Sequence, residues 1–208
     1  MEIKIVSDTH NDAHQIKSEE LSCDVLIHCG DFGTKGSFTE AYDFFYWFVK
    51  QPAKYKLFVP GNHDKRYKKS DELVQLTNKL GLVDLSNNFV EIEGKTFWGC
   101  NFVPQVNKAG ITLNSPEPEQ VSSMPRGLDM LVTHAPPLYI LDSNREGIAC
   151  GSQHILEEML LKQPKYHVFG HIHEHGGESA RAGATELYNC AVKDRAYNTV
   201  RGPVTILL

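Results

Sequence analysis

Residues 24–31 read DVLIHCGD, and this octapeptide decides the fold class. Residues 24–28 form a near-continuous apolar run, the pattern of a strand covered on both faces, and Gly30 then lets the chain turn into the Asp31 carboxylate. A strand with one wet face would alternate apolar and polar residues instead. Two shorter strands flank it, at 2–6 (EIKIV) and 56–59 (KLFV), with helical patterns between. Ser37-Phe38-Thr39-Glu40 has capping-box spacing and opens a helix over 41–49, which Pro52 ends. The aromatic residues Phe44, Phe45, Trp47 and Phe48 on that helix read as packing against a sheet. A second helix is expected over 70–80, with Gly81 as its C-cap. Strands alternating with helices indicate an α/β protein with a parallel sheet.

From residue 82 the pattern changes. Runs at 89–93 and 96–101 flank Gly94-Lys95 and read as a hairpin. A strand follows at 129–133, then an amphipathic helix at 152–162. Three closing strands are expected at 166–169, 186–190 and 204–208. Residues 105–126 are long, irregular and contain Pro116, Pro118 and Pro125. A segment of that kind tends to serve function, here as a wall of the substrate pocket. The two strand-and-helix halves suggest one domain spanning 1–208.

Bulk composition narrows the functional classes. The 208 residues are 41% hydrophobic and 23% charged, ordinary values for a globular protein. No stretch of 18 apolar residues exists, so no membrane span is expected. The net charge of −5 argues against stable binding of a nucleic-acid duplex, which needs a basic face. Lys65, Arg66, Lys68 and Lys69 form the main basic cluster and read as a solvated segment. Five cysteines without a CxxC pair read as free thiols in a reducing compartment, and the expected location is cytoplasmic.

Five polar clusters follow predicted strands: Asp8-Thr9-His10, Gly30-Asp31, Gly61-Asn62-His63-Asp64, Thr133-His134 and Gly170-His171-Ile172-His173. Strand carboxyl ends are where α/β sheets place ligands. Taken singly, an Asp-x-His or a lone histidine is usually a solvated or packed loop residue. Five in order at five strand ends make a common site the better reading. Asp8, His10, Asp31, Asn62, His134, His171 and His173 offer hard or borderline donors. Seven protein ligands exceed the needs of one cation and suit two cations sharing a carboxylate. Such a pair lowers the pKa of a bridging water, and the hydroxide attacks phosphorus in an in-line displacement. His63 can protonate the leaving oxygen, with Asp64 holding its imidazole. No serine or cysteine nucleophile with a supporting triad is evident.

The ordered motifs D-x-H, G-D, G-N-H-D, H and G-H-x-H resemble the calcineurin-like metallophosphoesterase superfamily, from Asp8 to His173. The runs LIHCGDF, THAPP and HVFGHIHE further resemble the MPPED-type metallophosphodiesterases, relatives of class III cyclic-nucleotide phosphodiesterases. The resemblance implies a four-layer α-β-β-α sandwich with two mixed β-sheets. It implies that Asp8, His10 and His173 hold a first metal, that Asp31 bridges, and that Asn62, His134 and His171 hold a second. It places His63 beside the scissile phosphate and Asp64 as its orienting partner. Mn²⁺ is the expected metal, with Fe, Zn, Ni or Co as alternatives. Some MPPED-type members lack the histidine at the position of His171; its presence here implies full activity.

The expected function is therefore a phosphodiesterase acting on small diesters such as cyclic nucleotides. A phosphomonoesterase is the alternative, but the arginines of protein phosphatases are missing from residues 30–35 and 58–61. A non-catalytic metal-bound module would have lost ligands. Among other histidines, His28 and His167 read as satisfied core residues and His154 as a surface residue. His14 and His175 lie near motifs. Asn11 and Glu174 neighbour ligands and could orient them. Tyr42, Tyr46 and Tyr67 read either as a dimer patch or as aromatic core.

Overall fold

The computed structural model describes residues 1–106, 112–113 and 118–208. Two sheets are stacked face to face. The first holds β1 (Glu2–Val6), β2 (Cys23–His28), β3 (Ala53–Phe58) and β4 (Val83–Asp84), all mutually parallel. The chain then passes into the second sheet. Its hairpin β5 (Asn88–Ile92) and β6 (Lys95–Cys100) is followed by a two-stranded ribbon, β7 (Gln105–Val106) and β8 (Thr112–Leu113). β9 (Met130–Thr133), β10 (Tyr166–Phe169) and β12 (Thr185–Asn189) run parallel to β6, and β11 (Ser179–Ala182) edges the sheet antiparallel to β12. The final strand, β13 (Val204–Leu207), returns to the first sheet and pairs antiparallel with β1. The first sheet is parallel except for β13 at one edge, and the second is a parallel core with β5 and β11 antiparallel at its two edges, so both are mixed as expected.

Helices cover the two outer faces. α1 (Phe38–Val49) and α2 (Asp71–Lys79) belong to the first half, while α3 (Pro118–Ser122) and α4 (Gln153–Lys162) belong to the second. Three apolar layers result. Ile3, Ile5, Val25, Ile27 and Leu57 meet Phe97, Met130, Val132 and Val168 between the sheets. Leu26 and Phe58 point the other way, onto Phe44, Phe45 and Phe48 of α1. Leu131, Phe169 and Leu187 meet Ile155 and Met159 of α4. Alternate residues of β2 therefore serve two different cores, which is why its sequence shows no polar alternation. This is the α-β-β-α sandwich.

Local details differ from the sequence reading in four places. The hairpin turn falls at Glu93-Gly94, one residue earlier than expected, with both residues at positive φ (51° and 77°) and Ile92 paired to Lys95. A two-residue turn of this kind requires left-handed backbone twice and places its glycine second. β11 (SARA) has no hydrophobic run, so no sequence signal marks it. Of the three closing strands, β13 closes the first sheet. Residues 107–111 and 114–117 of the expected pocket wall lie outside the described residues, while Val121 and Met124 are buried under the outer face of the second sheet. Tyr67 is buried against Phe32, Phe45 and Phe58, whereas Tyr42 and Tyr46 are exposed. No described helix is long and apolar enough to cross a membrane.

Candidate metal centre

Backbone conformation marks the site before any side chain is considered. Asp8, His10, Asn11, Asp31 and His171 all adopt positive φ, between 43° and 70°. Non-glycine residues rarely do so, and such strain gathers where geometry is imposed by function. The glycines beside them are fixed by space. A Cβ on Gly61 would collide with Asp31 Oδ1, and one on Gly170 would collide with Asp8 Oδ2. Those backbones must pass against the carboxylates, and only glycine fits.

Two groups of donors come together at the ends of β1, β2, β9 and β10. The ligand atoms of Asp8, His10 and His173 lie within 4.8 Å of one another, as do those of Asp31, His134 and His171. The carboxylates are each held by one oxygen. Asp8 Oδ2 accepts the His171 N–H at 2.9 Å, leaving Oδ1 buried without a hydrogen bond among the described residues, 3.4 Å from His173 Nε2. Asp31 Oδ1 accepts the His63 N–H at 2.8 Å, and its Oδ2 lies 3.3 Å from His134 Nε2 and 3.9 Å from His10 Nε2. That single oxygen reaches toward both groups.

The histidines are oriented by main-chain carbonyls. Nδ1 of His10 faces Gly33 O (3.1 Å), Nδ1 of His134 faces Cys29 O (2.7 Å) and Nδ1 of His173 faces Asp194 O (3.1 Å). A carbonyl only accepts, so each Nδ1 carries a proton and each Nε2 turns inward. His10 Nε2 and His173 Nε2 then stand 3.3 Å apart, and His134 Nε2 stands 3.1 Å from Asn62 Oδ1. In neutral rings these would be acceptors facing acceptors, an arrangement that needs a positive charge, from a proton as on His134 or from a bound cation. The orphaned Asp8 Oδ1, the inward Nε2 atoms and the N/O donor set fit two first-row divalent cations.

The electrostatics of the protein alone are uneven. Burial would lower His134, yet the Asp31 and Asp8 carboxylates raise it to about 9. Burial likewise opposes the rise of His173, which Asp8 causes. His171 is pushed down to about 4 by burial and by the nearby His134, and burial also lowers His10. Asp8 and Asp31 stay below the usual carboxylate range despite burial, because histidines face them.

The expected role of Asp64 as partner of the His63 imidazole does not hold. Asp64 is buried, and its carboxylate accepts the N–H groups of Asp31 (2.8 Å), Gly33 (2.9 Å) and Gly61 (2.8 Å). Burial and the Asp31 charge raise its pKa to about 7. It ties the Gly30-Asp31 loop to the Gly61–Asp64 loop. His63 is instead oriented by Thr34, whose carbonyl lies 2.7 Å from Nδ1, while Nε2 stands 4.0 Å from Asp31 Oδ2.

Other residues settle as follows. Asn11 touches no ligand; it donates to Thr34 Oγ1 (3.1 Å) and Glu40 Oε1 (2.7 Å). Glu174 pairs with Arg195 at 3.7 Å. His175 joins Ser143 (2.7 Å) to Glu178 (2.9 Å), and His14 lines a cavity of about 330 Å³ with Trp47, Phe44 and Asp43. His28 is satisfied by Thr9 (3.0 Å) and by the Gly30 N–H (3.1 Å). His167 is satisfied at Nε2 by Thr133 (2.8 Å), but its buried Nδ1 has no partner among the described residues. Sequence reasoning missed the wall formed by Lys193, Asp194 and Tyr197. These residues carry no motif, and only the chain's return past β12 brings them to the site.

Comparison with known proteins agrees with this geometry. The profile of the calcineurin-like phosphoesterase family matches residues 1–175. Human metallophosphoesterase domain-containing protein 1 is 32% identical, over 97% of this chain and 69% of that protein. UPF0046 protein C25E10.12 of Caenorhabditis elegans is 29% identical, over 96% and 78%. The fold is shared with TT1561 of Thermus thermophilus at a TM-score of 0.64 and 14% identity, covering 99% of this chain and 97% of that one. By motif, match and fold, the chain belongs to the calcineurin-like phosphoesterase family.

Proposed function

We propose that this chain is a dinuclear-metal phosphodiesterase acting on small diesters such as cyclic nucleotides, with Mn²⁺ as the working metal. The observation that carries the reading is Asp31 Oδ2, a carboxylate oxygen facing the Nε2 atoms of both donor groups. Asp8, His10 and His173 hold one ion, Asn62, His134 and His171 the other, and Asp31 bridges them. Bound there, the two cations supply an activated water and neutralise charge on the phosphoryl oxygens. The chain's own residues do the rest. Nδ1 of His63 is committed to Thr34 O, so Nε2 is the atom that gives a proton to the leaving alkoxide. Asp64 fixes the two loops that carry Asp31 and His63. A cytoplasmic location is supported by the five free cysteines, and a small phosphoester as partner, without duplex binding, by the acidic net charge.

The test is to strip the protein of metal and assay bis(p-nitrophenyl) phosphate against p-nitrophenyl phosphate, with and without Mn²⁺. Mn²⁺-dependent cleavage of the diester is expected. Preference for the monoester would make the protein a phosphatase. Inactivity of a folded, metal-loaded preparation on both esters and on a cyclic-nucleotide panel would leave a binding module.

A further inference from the structure

We propose that Tyr197 forms an aromatic subsite at the lip of this centre, receiving a flat aryl or nucleobase ring carried by the phosphoester. The inference rests on the phosphoesterase reading above and names the residue that would select an aryl or nucleobase group on its substrate.

Position is the first ground. The Tyr197 ring lies 5.0 Å from the His10 ring and 4.9 Å from the His173 ring, which are themselves 5.2 Å apart. The His63 ring also stands against His10, at 5.1 Å. A row of rings thus crosses the centre from Tyr197 to His63. A phosphoryl group seated among the Nε2 atoms would therefore have His63 and Tyr197 each one ring away from His10.

Exposure and strain are the second ground. Tyr197 is 51% exposed although it contacts two donor histidines. Its φ is +62°, where a bulky side chain is a genuine outlier. The turn is built to hold it there. Asp194 Oδ1 accepts the N–H groups of Ala196 and Asn198, both at 2.9 Å, and Asp194 O accepts the Tyr197 N–H at 3.0 Å. Lys193, only 1% exposed, gives its ammonium to Tyr197 O (2.7 Å) and to Asp12 Oδ2 (2.6 Å). A buried cation therefore ties the backbone of one exposed tyrosine to Asp12, two residues after the donor His10.

A purely protective role, shielding His10 and His173 from water, makes a different prediction: it would alter metal retention and affect all esters alike. The test uses Mn²⁺-reconstituted full-length protein, as wild type, Tyr197→Phe and Tyr197→Asn; asparagine suits the left-handed backbone and removes the ring. Calorimetry compares phenyl phosphate with inorganic phosphate. Kinetics compare bis(p-nitrophenyl) phosphate with methyl p-nitrophenyl phosphate, which share a leaving group and differ by one aryl ring. Wild type and Tyr197→Phe should bind phenyl phosphate about tenfold more tightly than phosphate, and Tyr197→Asn should lose that margin. The preference for the bis-aryl ester should fall about tenfold in Tyr197→Asn, through KM. An unchanged ester preference, or an equal loss on both esters with loss of metal, would overturn the subsite. Should wild type cleave neither ester nor any cyclic nucleotide, the phosphoesterase reading falls, and the calorimetric comparison alone decides the subsite.

Discussion

At Asp31 one carboxylate has two unequal oxygens, one tied to the His63 N–H and one turned toward both donor groups. Replacing Asp31 by asparagine should lower Mn²⁺-dependent turnover by more than about a hundredfold, with bound metal, read by elemental analysis, falling as well. His63→Ala should keep its metal and slow turnover by about 10²–10⁴-fold, most for poor leaving groups. Loss of metal in that variant would contradict the assignment of Nε2 as proton donor. Asp64→Ala belongs to a different class, because it strands the buried N–H groups of Asp31, Phe32, Gly33 and Gly61. A stability loss of about 3 kcal/mol or more is expected, seen as a lower thermal midpoint. The core histidines make stability depend on pH. Burial lowers both His28 and His167 to about 3. Unfolding therefore takes up protons below the ordinary value of 6.5, and the stability these residues contribute is complete above 6.5 and is lost as pH falls toward 3. About 2 kcal/mol per histidine should disappear between pH 6.5 and 5. His167→Leu should flatten that slope in denaturant titrations, since Thr133 still donates to Ala135 at 2.7 Å.

Among the elements, helix α1 shows how a local signal reaches the site. The capping box read from Ser37 and Glu40 is present: Glu40 N–H donates to Ser37 Oγ (3.2 Å), and Ser37 N–H donates to Glu40 Oε2 (2.9 Å). Glu40 also accepts from Asn11 and from the Lys35 N–H, flanking the Thr34 carbonyl that orients His63. Glu40→Ala should cost about 1–2 kcal/mol and lower kcat, measured against a Ser37→Ala control that weakens only the cap. Strands with apolar runs and capped helices were legible because their signals are local. β11 was not, since SARA at a sheet edge is defined only by its pairing with β12. The one-residue shift of the β5–β6 turn has a similar origin: Gly94 was visible, but which neighbour shares its left-handed backbone depends on register. The five clusters were legible as strand ends. The partner of the His63 imidazole was not, because an adjacent Asp64 looks equivalent in sequence to a carbonyl 29 residues away.

For the molecule as a whole, cover on both faces of the first sheet followed from the near-continuous apolar run of β2, while the four-layer order came only with the family resemblance. The return of β13 to β1 could not be read, since four apolar residues do not say which sheet they join. That return carries Lys193, Asp194 and Tyr197 past the centre, so an entire wall of the site depends on long-range topology. The two donor groups share one more property. Asp8 and His10 follow β1 and Asp31 follows β2, in the first sheet, while His134 follows β9 and His171 and His173 follow β10, in the second. Each group is assembled across the sandwich. An ion occupying either group would act as a rivet between the two halves, and its binding energy would become resistance to their parting. Chelation should therefore loosen the amides of β1 and β10 together in deuterium exchange, rather than those of one loop, and reloading either ion should quieten both sheets at once.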